Sequence, residues 1–270
     1  MNNTVKGGIF IKKYVVLFSI IIIILVSMFF ILNKPLKLDP NLERAYLDNE
    51  IDANGNRKIS ITELKMKKGS IDLKGYGIKD ISSIKYLINV TSLNISRNGI
   101  VDISELGQLT NLEVLIISNN SVESVNSISN LRALQVLDAA NNKISSIDNI
   151  TSNPKINWLS FGLNRISNIA PIYELPNLQY AYFYVNKIEN VGISSANNSI
   201  QILDLSENLI QDIAPLQNCK ALTELYISNN HISNIAPANS LKSLNVLNIM
   251  NNPVRDWSML KEFKFNKLYK

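Results

Sequence analysis

Residues 203–213 read Leu203-Asp204-Leu205-Ser206-Glu207-Asn208-Leu209-Ile210-Gln211-Asp212-Ile213. Leu203 and Leu205 alternate with polar neighbours, the period of a short strand with one buried face. Asn208 follows where the chain turns, and its amide both donates and accepts hydrogen bonds. Ile210 and Ile213 then return the chain to an apolar interior. The unit repeats. An asparagine stands every 22 residues, at Asn98, Asn120, Asn142, Asn164, Asn186, Asn208, Asn230 and Asn252. Ile or Val lies two residues after each, from Ile100 to Val254. Ile, Val or Trp lies five after, from Ile103 to Trp257.

A fixed period of this length around this core resembles the leucine-rich repeat. The expected fold is an α/β solenoid, a right-handed superhelix whose strands stack about 4.8 Å apart in one parallel concave sheet. Proline in Ala170-Pro171, Ala214-Pro215 and Ala236-Pro237 suits the first turn of a short 3₁₀ piece on the convex side. A 22-residue unit leaves little room there for a full α-helix. The asparagines are read as structural, each satisfying backbone groups of its own and the neighbouring turn.

The unit Ile210-Gln211-Asp212-Ile213-Ala214-Pro215-Leu216, followed by Leu222 and Leu225, resembles the repeats of the internalins, surface proteins of Gram-positive bacteria. The resemblance spans roughly residues 70–255. It implies binding of a macromolecule through the concave face and leaves the ligand open. A second stretch extends it. Asp39-Pro40-Asn41-Leu42-Glu43-Arg44-Ala45-Tyr46-Leu47 predicts a short capped helix. It leads into a loop, 52–63, with calcium-ligand residue types at EF-hand positions, and this resembles the amino-terminal cap of internalin-like proteins. Asp52, Asn54, Asn56 and Glu63 are the candidate calcium ligands. Arg57 occupies the position where an EF-hand needs glycine, and Lys58 adds positive charge, so the loop reads as vestigial.

Val15 to Leu32 is a nearly unbroken apolar run of 18 residues, roughly 27 Å as a helix. It exceeds an ordinary signal-peptide core and has no small-x-small cleavage site after it. An uncleaved signal anchor is expected, with secretion after cleavage as the alternative. Lys6, Lys12 and Lys13 favour an internal amino terminus and external repeats. A sortase-type Leu-Pro-x-Thr-Gly motif is absent, so anchoring is expected from this helix. The organisation follows: 1–13 cytoplasmic, 14–32 a transmembrane signal anchor, 33–69 stalk and helical cap, 70–254 the repeat array, and 255–270 a closing cap and basic tail in which Trp257 and Phe263 cover the last repeat.

The net charge of +5 is unevenly spread. Residues 91–254 carry eight Lys/Arg against twelve Asp/Glu, a net of −4. The array thus lacks a basic stripe for phosphates, which argues against nucleic acid as a partner. A single cysteine, Cys219, excludes an intramolecular disulfide framework and aligns with core leucines. The single histidine, His231, lies at a variable turn position with no nucleophile and carboxylate in register with it. No Cys/His metal spacing or phosphate-cradling glycine loop occurs. The sequence therefore predicts a binding protein, not an enzyme, and one without a cofactor beyond the calcium possible in the cap.

Period-two alternation assigns the residues that point out of the concave sheet. Trp158, Tyr180, Tyr182, Tyr184 and Tyr226 cluster on three of the strands, with Asp204 and Glu224 beside them. Trp158 and Tyr180 are expected as lateral neighbours, and Val114, Ile116 and Val136 form an apolar patch nearby. Exposed Trp and Tyr are enriched at binding hot spots. These seven residues are the predicted contact site for a macromolecular partner, a protein in preference to a glycan. The sequence leaves two roles for such a site: an adhesin-like receptor, or a tethered scaffold of the producer's own envelope.

Overall fold

A computed structural model describes residues 4–192, 199–260 and 266–270. Its ten strands are β1 (Gly69–Asp72), β2 (Val90–Asn94), β3 (Val114–Ile116), β4 (Val136–Asp138), β5 (Trp158–Ser160), β6 (Tyr180–Tyr182), β7 (Ile202–Asp204), β8 (Glu224–Tyr226), β9 (Val246–Asn248) and β10 (Lys267–Tyr269). They form one sheet in strict chain order, as a solenoid requires. Every pairing is parallel. The inward residues stay in register from Leu93 through Leu115, Leu137, Leu159, Ala181, Leu203 and Leu225 to Leu247. These side chains are fully buried and stack into a continuous core with Ile100, Ile144, Ile188 and Ile232 from the returning segments. Phe161 and Phe183 stack within it, centroids 5.6 Å apart. Cys219 is buried there too.

The convex side is 3₁₀. Ala170–Glu174, Ala214–Asn218 and Ala236–Ser240 each carry the expected proline as their second residue, where its missing N–H costs nothing in a first turn.

The asparagine ladder has one geometry throughout. Asn208 Nδ2 donates to the carbonyls of Leu205 (3.0 Å) and of Phe183 one repeat back (3.0 Å), while its Oδ1 accepts from Ile188 N–H (3.0 Å). Asn142, Asn164, Asn186 and Asn230 repeat the pattern. Each side chain thus pairs backbone groups of two successive turns that helix or sheet bonding leaves open. The residue before each asparagine is left-handed, with φ of 53–58° from Arg97 to Asn251. Asn119, Asn141, Asn229 and Asn251 suit that region; Val185, β-branched at φ 53°, is strained there.

At the amino end α1 (Thr4–Asn33) is followed by α2 (Pro40–Asp48) and α3 (Ile61–Met66). Asp39 caps α2, accepting from Asn41 and Leu42 N–H, with Pro40 in the first turn. Ser60 and Glu63 form a reciprocal capping box on α3. Leu42, Tyr46, Ile51, Ile59 and Leu64 close the end of the core. Asn49 covers the open edge of β1, bonding both the N–H and the carbonyl of Asp72 (3.1 and 2.7 Å). The side chains of α1 from Val16 to Ile31 are almost uniformly exposed, so nothing among the described residues covers this apolar helix.

The carboxy-terminal residues add a strand that the repeat pattern did not predict. Lys267, Leu268 and Tyr269 extend the sheet by pairing with Val246, Leu247 and Asn248. Leu268 is drawn onto the core end by the same alternation that defines the repeats, and Trp257 packs beside it, under the Lys270 ammonium (4.9 Å). Phe263 lies outside the described residues.

Candidate partner-binding face

Two rows of outward side chains cross the sheet. One runs Val114, Val136, Trp158, Tyr180, Ile202, Glu224, Val246. The other runs Ile116, Asp138, Ser160, Tyr182, Asp204, Tyr226, Asn248. Trp158, Tyr180, Tyr182, Asp204, Glu224 and Tyr226 are therefore neighbours on adjacent strands, and all are partly exposed. Tyr184 lies just past β6, also partly exposed. The structure brings the seven sequence-predicted residues together on one face.

Within the patch the contacts are specific. Trp158 and Tyr180 are lateral partners in register, but the Trp158 ring meets Tyr182 diagonally, with centroids 5.6 Å apart and planes tilted by 46°. Tyr184 lies across Gly162, where a Cβ would overlap its ring. The missing Cβ of Gly162 leaves the space that the Tyr184 ring fills.

Three carboxylates set the electrostatics. Tyr226 Oη donates to Glu224 Oε2 (2.7 Å), and that bond, with burial, pushes the Tyr226 phenol up to about 12. Burial also raises Tyr182, with Glu224 and Asp204 adding to the shift, and it raises Tyr184, with Asp138 and Asp204 adding. Asp204 stands between Tyr182 and Tyr226 in register and accepts from Ser206 N–H (2.9 Å). Burial raises its carboxyl above the usual range despite that bond. Asp138 was not among the predicted contacts; its charge reaches the patch because Tyr184 extends toward it. Along the strand-entry rim, Gln135, Lys155, Asn157, Asn177 and Gln179 line a shallow polar groove of about 300 Å³.

His231 is exposed at its turn. In the cap loop Arg57 adopts φ 60°, the left-handed backbone an EF-hand assigns to glycine. Asp52 accepts from Asn56 and Arg57 N–H, and Asn56 Oδ1 accepts from Lys58 N–H (2.8 Å). Asn54 Nδ2 donates to Glu63 Oε1 (2.9 Å), and Glu63 Oε2 accepts from Ser60 N–H and Oγ (2.9 and 2.8 Å). Both Glu63 oxygens are engaged in the fold. Among the described residues no group of three or more His, Cys, Asp or Glu could hold a metal ion.

Known proteins agree with this architecture. The sequence family of leucine-rich repeats (2 copies) matches residues 88–133, 110–153 and 220–262. No curated protein matches the sequence. Among solved structures, internalin C2 from Listeria monocytogenes is similar at 27% identity and a TM-score of 0.61, covering 85% of this chain and 91% of that one. An internalin (inlF) from the same organism is similar at 26% identity and a TM-score of 0.51, covering 82% and 78%. The functional domain of InlJ, also from Listeria monocytogenes, shares the fold at 23% identity and a TM-score of 0.66, covering 85% and 52%. The chain is a leucine-rich-repeat solenoid protein. Its repeats and its structural neighbours make it internalin-like.

Proposed function

We propose that this is a membrane-anchored, extracellular recognition protein, adhesin-like, that binds a macromolecular partner through its concave sheet and performs no catalysis. The observation that carries this reading is the aromatic cluster of Trp158, Tyr180, Tyr182, Tyr184 and Tyr226, partly exposed across the β5–β8 part of the sheet. Large aromatic side chains bury much area at little entropic cost, so they serve as anchors. A protein suits the flat aromatic patch better than a glycan. The exposed apolar helix α1 supports a membrane anchor: Val16–Asn33 is long and apolar enough to cross a bilayer. Removal of α1 by cleavage would instead give a secreted form.

One observation favours a second reading, a scaffold of the producer's own envelope. α1 joins the cap without a free stalk. Thr62 Oγ1 donates to Leu32 O (3.2 Å), Leu36 N–H donates to Ile59 O (2.8 Å), and Pro35 bridges Ser60. A helix fixed in the membrane would thereby hold the repeats close to it. The cap loop, in this reading, is a hydrogen-bonded closure and not a calcium site. Two carboxylates beside Arg57 and Lys58, one of them fully engaged, do not fit a cation that takes six to eight oxygens.

The test is binding of the labelled full-length protein, in nanodiscs, to animal cells and to stripped envelopes of the producer. A Trp158→Ala/Tyr180→Ala/Tyr182→Ala variant with unchanged circular dichroism runs beside it. Binding to animal cells that the variant loses supports the adhesin. Binding confined to envelopes supports the scaffold. Equal binding by the variant removes the aromatic face from both.

A further inference from the structure

The outward positions of β3 to β9, from Val114 to Met250, contain Asp138, Asp204 and Glu224 and no lysine or arginine; the outward rows meet a basic residue at Lys267 on β10, beside Val246. The second outward row places Asp204 between Tyr182 and Tyr226, with Glu224 bonded to the Tyr226 hydroxyl. Strands about 4.8 Å apart set the two tyrosines roughly 10 Å from each other. That spacing gives a slot with aromatic walls and a carboxylate floor. The Lys85–Glu105 ion pair lies elsewhere, and Lys267 is set off from Glu224 by the intervening strand β9.

Aromatic faces attract ammonium and guanidinium groups through their quadrupoles, and a half-buried carboxylate adds a charge that water screens only partly. We infer that the Tyr182–Asp204–Tyr226 slot takes a lysine or arginine side chain, and that the partner of the concave face is a basic protein segment. Trp158 and Tyr180 then pack on the apolar part of that segment, with Ile202 beneath it. The inference rests on the concave face being the binding face and adds the partner's chemistry. Charge complementarity of this kind speeds encounter and rejects acidic competitors.

The experiment uses the full chain in nanodiscs of zwitterionic lipid, on a Trp257→Phe background that leaves Trp158 as the fluorescent reporter. The probes are three blocked octapeptides, alternating alanine with lysine, glutamate or serine. The lysine peptide is expected to change Trp158 emission saturably. The glutamate and serine peptides are expected to bind at least about tenfold more weakly. Its affinity should fall about tenfold in Asp204→Asn/Glu224→Gln, and several-fold between 0.05 and 0.5 M salt as the Debye length shrinks from roughly 14 to 4 Å. Lysine-peptide binding that ignores the double variant, equal binding of all three peptides, or binding of none overturns the slot. Self-association of the chain that the double variant abolishes also overturns it, because the occupant would then be a second copy. If cells or envelopes still bind in an aromatic-dependent manner while the peptides show no charge preference, the face is retained and the cationic partner is rejected.

Discussion

Replacing Asn208 by alanine removes four hydrogen bonds from a buried turn, and the structure says which of them matter. The Ile188 N–H finds its acceptor in Asn208 Oδ1 (3.0 Å) and would be left unpaired in the core. The carbonyls of Phe183 and Leu205 each lose one donor but keep another, from Asn186 and Asn230 respectively, and Ser206 O keeps the Val185 N–H. An orphaned buried donor costs about 1–3 kcal/mol, and weakened acceptors cost less. The total comes to about 3 kcal/mol, roughly 6–12 °C in Tm for a domain of this size. Asn177→Ala is the control, since it deletes one exposed bond to Pro154 O and should cost less than about 1 kcal/mol. Asn208→Asp keeps the acceptor but sets an anion among three carbonyl oxygens. Its folded carboxyl is pushed up, so its stability is greatest at low pH and falls as pH rises above about 4. Urea titrations followed by circular dichroism measure all three. Equal stability of Asn208→Ala and Asn177→Ala would refute the ladder argument.

Val185→Asn should stabilise the fold by about 1 kcal/mol, because asparagine tolerates the left-handed backbone that valine resists; a loss of Tm would contradict it. Gly162→Ala should cost about 1 kcal/mol and shift the Tyr184 ring signals in NMR, since a Cβ takes the ring's seat; unchanged Tyr184 shifts would show that the ring lies elsewhere. One tyrosine should titrate near 12 by ultraviolet absorbance and return toward 10 in Glu224→Gln. Between those values the folded chain keeps a proton that the unfolded chain has lost, so this contribution to stability fades as pH rises through that window. Calcium or EDTA should move the Tm by less than about 1 °C, whereas Glu63→Ala, which breaks the capping box, should lower stability by about 1–2 kcal/mol. A clear calcium-induced rise in Tm would restore the loop as a metal site.

How far the sequence could be read depends on whether the information was periodic. The asparagines and the inward apolar positions of Leu203 and Leu205 repeat every 22 residues, and the 3₁₀ proline recurs in three of the units, so each position was read several times over, and the structure follows them. The outward rows were legible for the same reason, because alternation decides which way a strand residue points. Side-chain conformation on that face is not periodic. Nothing in the sequence tells Trp158 to lean on Tyr182 rather than Tyr180, nor Tyr184 to lie across Gly162. β10 was missed because it has no asparagine after it. Its strand character rests on Leu268 alone, and the lysines around it read as a basic tail.

The most direct test of the concave face as the recognition surface is site-specific photo-crosslinking on intact cells. A benzophenone amino acid would replace Tyr180 on the sheet in one protein and Ser152 on the convex 3₁₀ side in another, both exposed enough to react. Discrete crosslinked products from position 180 and none from position 152 are the predicted result. Products from position 152 with none from position 180 would contradict it and move recognition to the convex side.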